Sequence, residues 1–313
     1  MTNILADALV PIFAGLVLGY LAGRFRVMDN QNVRTITAFV MSFAVPAALF
    51  LAIARTPRGV LREQLPTAIV LTVVFVILYA ISFAWTRFGV RLSSSDSSVI
   101  ALTVSFPNSA AVGLPLLASV FGSQSAVTVA TSLAVGSITV SSITLAILEA
   151  GRDNKGLSPR HFALALIRSF RSPVLWAPLL GLLLSCVELK LPSFVDRSLA
   201  VMGRAADGSA LVLTGLVVSA QKFEIGRKTF AVVLLKNAVQ PALALGIALL
   251  IHLSHEQIRY VTLISALPCG FFGIVFGKSF GSNSNLASAG LIASYIIGVG
   301  TLAAWIIVVS HLG

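Results

Sequence analysis

Charge is what this sequence has least of. Only 11% of its 313 residues are Asp, Glu, Lys or Arg, against about 25% in soluble domains. With 57% hydrophobic residues as well, the chain cannot cover a folded surface with polar groups. That excludes an ordinary water-soluble globule and points to an integral membrane protein. Acids are scarcer still than bases, and the formal net charge is +11. The bases are scattered among short connections, the pattern of positive-inside topology and not of a nucleic-acid-binding surface. The two cysteines, Cys186 and Cys269, fall in different predicted spans, so neither a metal-type pair nor a disulfide is expected. All four histidines lie at or beyond span ends. His252 and His255 are three apart but have no third ligand, so no metal site follows. No nucleophile–base–orienter set and no nucleotide-binding motif accompany the spans, which argues against catalysis, against ATP-driven transport and against a cofactor. Met1 to Gly23 has no basic stretch before its apolar run, and it is expected to be a retained first helix and not a cleaved signal.

What is there is a series of apolar runs, each near the 20 residues or so that a spanning helix needs. Ten are read, at 4–23, 31–54, 65–88, 97–122, 124–149, 166–188, 195–221, 228–253, 257–281 and 285–310. The longest polar connection, Gly151 to His161, divides the chain into two halves of five spans, 1–150 and 151–313. Leaving aside Lys236 inside a span, one side collects Arg24, Arg26, Arg34, Arg87, Arg91, Arg152, Lys155, Arg160, Arg168, Arg171, Lys222, Arg227, Lys228 and Lys278. The other collects Arg55, Arg58, Arg62, Lys190, Arg197, Arg204 and Arg259. The richer side is assigned to the cytoplasm, which puts both termini outside. The first half then starts outside and the second inside, an inverted repeat of the kind found in alternating-access carriers.

Two spans carry residues that a regular helix does not tolerate. Ser105-Phe106-Pro107-Asn108-Ser109-Ala110-Ala111-Val112-Gly113-Leu114-Pro115 interrupts the fourth, and Pro268-Cys269-Gly270-Phe271-Phe272-Gly273 interrupts the ninth. Proline removes a backbone donor and clashes with the preceding turn, so both helices should break there. Irregular backbone at membrane depth survives only where protein covers it or water lines it. Paired breaks in two halves mark a transporter binding site. Half-helices restarting after Pro107 and Pro268 would present free N–H groups and positive partial charge, an environment that suits an anion. Asn108 is the first candidate to touch substrate, with Ser105, Ser109, Pro107, Gly113, Pro268, Cys269 and Gly270 around it; packed kinked helices are the alternative reading.

Two charges lie deep, Asp207 near the middle of the seventh span and Lys236 about two turns into the eighth. An ionisable group inside the membrane is a functional candidate by default. For Lys236, attraction of an anion and a structural role, by ion pairing or by reaching to the interface, are both open. Asp207 is a candidate for coupling a proton or binding a cation, or for a structural pair.

The motifs resemble those of the auxin efflux carrier family, whose bacterial members include malate and malonate permease-like proteins. The likeness covers nearly the whole chain. It rests on Pro46, Leu49 and Phe50 in the second span, Asn108, Gly113 and Pro115 in the fourth, Lys236 and Pro241 in the eighth, and Pro268 with Phe280-Gly281 in the ninth. Two positions depart from the pattern. Ala111 replaces a bulkier residue and Gly208 replaces a proline of the seventh span, so substrate identity does not carry over. The long central loop of the plant carriers is absent, which looks bacterial and implies the inner membrane.

The resemblance implies an all-α membrane fold of scaffold and transport domains, with the broken fourth and ninth helices crossing at mid-membrane. The function implied is secondary transport of a small organic anion, a mono- or dicarboxylate, by rigid movement of one domain against the other. Coupling to a proton or to sodium is open, contact with membrane lipid is expected, and a homodimer is compatible with the architecture. The competing classes are an intramembrane enzyme using Asp207, Lys236 and the serines, and a membrane sensor that binds its ligand without moving it.

Overall fold

A computed structural model describes residues 2–153, 173–221, 226–282 and 284–311. The described residues are helical apart from short connections, with one isolated two-residue bridge and no named strand. The chain runs α1 (Thr2–Arg24), α2 (Arg34–Ala54), α3 (Gln64–Gly89), α4 (Ser94–Ser105), α5 (Ser109–Phe121) and α6 (Ser123–Gly151). It continues with α7 (Pro173–Cys186), α8 (Ser193–Ser219), α9 (Arg227–Leu250), α10 (His255–Ala266), α11 (Phe272–Ser279) and α12 (Asn285–Ser310). By length and composition α2, α3, α6, α8, α9 and α12 are each able to cross a membrane, and shorter apolar stretches occupy Val10–Arg24, Ser109–Phe121 and Trp176–Cys186. The described residues thus have the helical fold that the apolar spans imply, and it is consistent with the membrane protein expected from composition. The first part of the sixth span, from 166, and the connection Gly151 to His161 beyond Asp153 lie outside the described residues.

Prolines shape the helices in a recurring way. Pro46, Pro115 and Pro241 each follow a five-residue wide turn, at Val40–Ala44, Ser109–Gly113 and Leu235–Val239. A proline cannot donate to the carbonyl four residues back, and a wide turn re-routes the ladder ahead of it. At Pro241 the carbonyl that loses its donor is that of Asn237, and the indole Nε1 of Trp305 donates to it at 2.9 Å. The orphaned group is thus satisfied inside the protein, as lipid requires.

The helices gather into two compact units, each drawing on both halves of the chain. The first comprises 1–68, 109–134 and 170–220; the second comprises 69–108, 135–169 and 221–313.

In the first unit α1 lies against α8 at backbone distance. A methyl group added to Gly19 would strike the carbonyl of Val212, and one added to Gly215 would strike the carbonyl oxygen of Leu16. Small residues permit such approach where lipid offers no hydrophobic drive for association. Gly181 on α7 meets the Phe50 carbonyl of α2 in the same manner. Ser185 Oγ donates to the Thr56 carbonyl at 2.6 Å, and Arg55 forks onto Asp196 through Nε at 2.9 Å and Nη2 at 2.8 Å. That hydrogen bond to Asp196 holds the Arg55 guanidinium above its ordinary pKa, but the pair is exposed and adds little to stability. The close contact at Gly215 does more. Gly215→Val is expected to destabilise the unit by about 1–3 kcal/mol, the range for overpacking, seen as a lower melting temperature of the purified protein at unchanged expression.

In the second unit α4 packs on α11, where Gly273 faces Thr103 and the Val99 carbonyl and Gly277 faces Val99. Phe106 is buried against Phe75 and Phe272, at ring-centroid distances of 6.1 and 5.5 Å, with Gly136 leaving room for its edge.

Candidate functional site

The site is built from two broken helices that repair each other. α4 ends at Ser105 because Phe106 turns to an extended backbone, φ −97° and ψ 103°, the conformation favoured for a residue preceding proline. α10 stops at Ala266, followed by Leu267 at φ −57° and ψ 149°, again just before a proline. The two extended stretches pair antiparallel at Pro107 and Cys269. Asn108 N–H donates to the Pro268 carbonyl at 3.1 Å, and Gly270 N–H donates to the Thr103 carbonyl at 3.2 Å. The Thr103 carbonyl is the one that a regular helix would have satisfied from position 107. Proline there cannot donate, and Gly270 of the other break supplies the missing hydrogen.

Side chains close the remaining ends. Gln240 Nε2 donates to the Ser105 carbonyl at 2.8 Å, capping the cut end of α4. Lys236 Nζ donates to the Ser265 carbonyl at 3.2 Å and to Gln240 Oε1 at 2.5 Å, capping the cut end of α10. A cation at a helix C-terminus is favourably placed against the dipole. Lys236 is fully buried, so it does not reach to the interface, and among the described residues neither of the two ion pairs involves it. Ser294 Oγ accepts from Cys269 N–H at 2.9 Å. Asn108, only 1% exposed, donates from Nδ2 to the Tyr295 hydroxyl at 2.6 Å.

Of the candidate residues read from the sequence, the second unit therefore gathers Ser105, Pro107, Asn108, Pro268, Cys269, Gly270 and Lys236. Ser109 and Gly113 belong to the first unit. Ser109 Oγ is hydrogen-bonded to Ser132 Oγ at 2.8 Å, and Gly113 closes the wide turn before Pro115. The backbone of Asp207 lies in α8 of the first unit, while its side chain lies outside the described residues. Sequence reasoning missed Gln240, Ser294 and Tyr295. Gln240 had a usable signal, since it follows Lys236 by four residues and the two share a helix face. Tyr295 and Ser294 sit in an apolar run, and nothing local marks them. Among the described residues no group of three His, Cys, Asp or Glu side chains is arranged to hold a metal.

The arrangement defines a class: a helical membrane protein whose two helix breaks, mutually paired and polar, are buried within one compact unit. The chain belongs to the membrane transport protein family, the family of the auxin efflux carriers, whose model matches residues 4–306. It is 30% identical over 310 residues to the uncharacterized transporter YfdV of Escherichia coli strain K12, covering 96% of each chain. It is 23% identical over 354 residues to auxin efflux carrier component 8 of Arabidopsis thaliana, covering 96% of this chain and 95% of the relative. It is also 23% identical over 300 residues to a Rhizobium meliloti protein named "Putative malonate transporter", covering 94% of this chain and 92% of that one. The family is one of membrane transporters and not of enzymes, and the chain is a multi-pass membrane protein.

Proposed function

We propose that this protein is a secondary carrier of a small organic anion, a mono- or dicarboxylate, in the bacterial inner membrane. The observation that carries the reading is the buried Asn108 amide at the paired breaks, whose ends are capped by Lys236 and Gln240, with Lys236 buried and in no ion pair among the described residues. Exchange of the Tyr295 hydroxyl for a carboxylate oxygen would keep the Asn108 N–H satisfied and leave it bonded to a charged acceptor, a stronger hydrogen bond. The malonate named for one relative fits the same chemistry. The proposed substrate-binding set is Asn108, Ser105, Pro107, Pro268, Cys269 and Gly270, with Lys236 contributing charge.

In this reading ten spans form two inverted five-helix repeats, 1–150 and 151–313, with both termini outside and the broken fourth and ninth spans crossing at mid-membrane. Transport follows alternating access. A proton or sodium is the coupling candidate, with Asp207 as its acceptor, and two copies of the chain are compatible with this architecture.

The test is the melting temperature of the purified protein against a panel of small carboxylates, with and without sodium and at two pH values. A ligand that binds only the folded state raises the melting temperature by mass action. A rise specific to carboxylates, reduced more in Lys236→Ala than the rise produced by a neutral analogue, is the expected result. Equal losses for both ligands would make Lys236 structural, and a flat response to every carboxylate would overturn the anion reading.

A further inference from the structure

Lys236 is unusual in what surrounds it. Its ammonium is fully buried and its acceptors, Gln240 Oε1 and the Ser265 carbonyl, are both neutral. Glu149, on α6, is the other charged residue buried among the described ones. The ionisable group that acts on Lys236 from the packed elements is the Cys269 thiol of the second break, which is not a carboxylate. A lysine so placed is ordinarily compensated by an acid, since an isolated buried charge is costly. Here the position one helical turn on, where an acid would fit best, holds an amide.

The amide's orientation is fixed from both sides. Lys236 Nζ only donates and the Ser105 carbonyl only accepts, so Gln240 must turn Oε1 to the lysine and Nε2 to the carbonyl. One side chain thereby ties the ends of both broken helices to one cation without cancelling it. Cys269, on which that charge acts, is bridged to Pro107, next to Asn108.

We propose that Gln240 determines the charge preference of the site: as an amide it positions Lys236 and the end of α4 while leaving one positive charge uncompensated, and the site therefore takes a ligand bearing a single negative charge. This rests on the carboxylate reading above. A glutamate at 240 has nearly the same shape and still accepts from Lys236, but it closes the positive charge into an ion pair; it also gives up the donation to the Ser105 carbonyl, a loss that falls alike on charged and neutral ligands. The ligand's carboxylate then finds no net charge at the breaks.

Two probes of one skeleton separate charge from shape, monomethyl malonate with one negative charge and dimethyl malonate with none. Affinities are read by titrating each against the melting temperature of the intact purified protein. Wild type is expected to favour the monoanion. In Gln240→Glu the monoanion should weaken by roughly tenfold or more, as expected for neutralising a unit charge in a medium of intermediate dielectric, while the neutral ester changes by less than about twofold, within the span of a neutral contact. Should Gln240→Glu fail to accumulate, Lys236→Gln keeps a hydrogen-bonding partner for Gln240, removes the charge and carries the same expectation. A wild-type preference for the monoanion that persists in the variant overturns this proposal and leaves the carrier reading standing. A wild type that responds to neither probe nor to any other carboxylate overturns both.

Discussion

Asn108→Ala is expected to give a protein that folds, inserts and melts within a few degrees of wild type, yet needs roughly tenfold to hundredfold more carboxylate for the same rise in melting temperature. The break itself does not depend on this side chain. It is set by Pro107 and held by backbone bonds from Asn108 N–H to Pro268 and from Gly270 N–H to Thr103, all of which alanine retains. What alanine removes is the amide that donates to Tyr295 at 2.6 Å. A hydrogen bond to a charged acceptor contributes about 1.5–3 kcal/mol, so carboxylate affinity should fall by roughly tenfold to a hundredfold. Tyr295→Phe serves as the companion variant. It removes the hydroxyl that accepts from Asn108 Nδ2 and keeps the amide in place to meet a ligand, so carboxylate affinity is expected to be kept or raised. A carboxylate response in Asn108→Ala equal to that of wild type would remove this residue from the site.

The opposite kind of loss is expected from Gly270→Val. A side chain at this position would run into the carbonyl oxygen of Phe106, with the Pro107 carbonyl carbon next in line. Both are backbone atoms of the other break, and neither can swing aside as a flexible side chain would. Separating the strands also costs the Gly270 N–H to Thr103 bond, leaving two buried backbone groups unpaired at membrane depth. Overpacking alone costs about 1–3 kcal/mol and the lost pairing adds to it, enough to consume a large share of a typical fold's stability. The variant should accumulate poorly and melt well below wild type even without ligand. A Gly270→Val protein of wild-type stability would show that the two breaks do not depend on this contact.

These two variants also separate what the sequence could tell from what it could not. Proline announces where a helix must stop, so both breaks were legible at Pro107 and at Pro268 from local chemistry. The gross class followed from the scarcity of charge. The repair of the breaks was not legible in the same way. That Gly270 would satisfy the carbonyl left open by Pro107 depends on the approach of segments more than 160 residues apart, and no local pattern encodes it. Lys236 stood out as a buried charge. Its engagement with Ser265 and Gln240 depended on the wide turn ahead of Pro241 and on the placement of α10. Tyr295, an aromatic within an apolar run, carried no signal, although the structure makes it the partner of Asn108. The serines divided in a manner that spacing did not anticipate. Ser105 lies at the pair of breaks, while Ser109, four residues later, is bonded to Ser132 in the first unit.

Movement of a small carboxylate across a membrane at the paired breaks is read out by uptake of labelled malonate and monomethyl malonate into sealed vesicles containing the purified protein. Wild type is expected to give saturable, chemically unchanged uptake of at least one of these anions, and Asn108→Ala to need roughly tenfold or more anion for the same rate. Wild-type vesicles that bind the anion without accumulating it, or that return it chemically altered, would contradict the carrier reading.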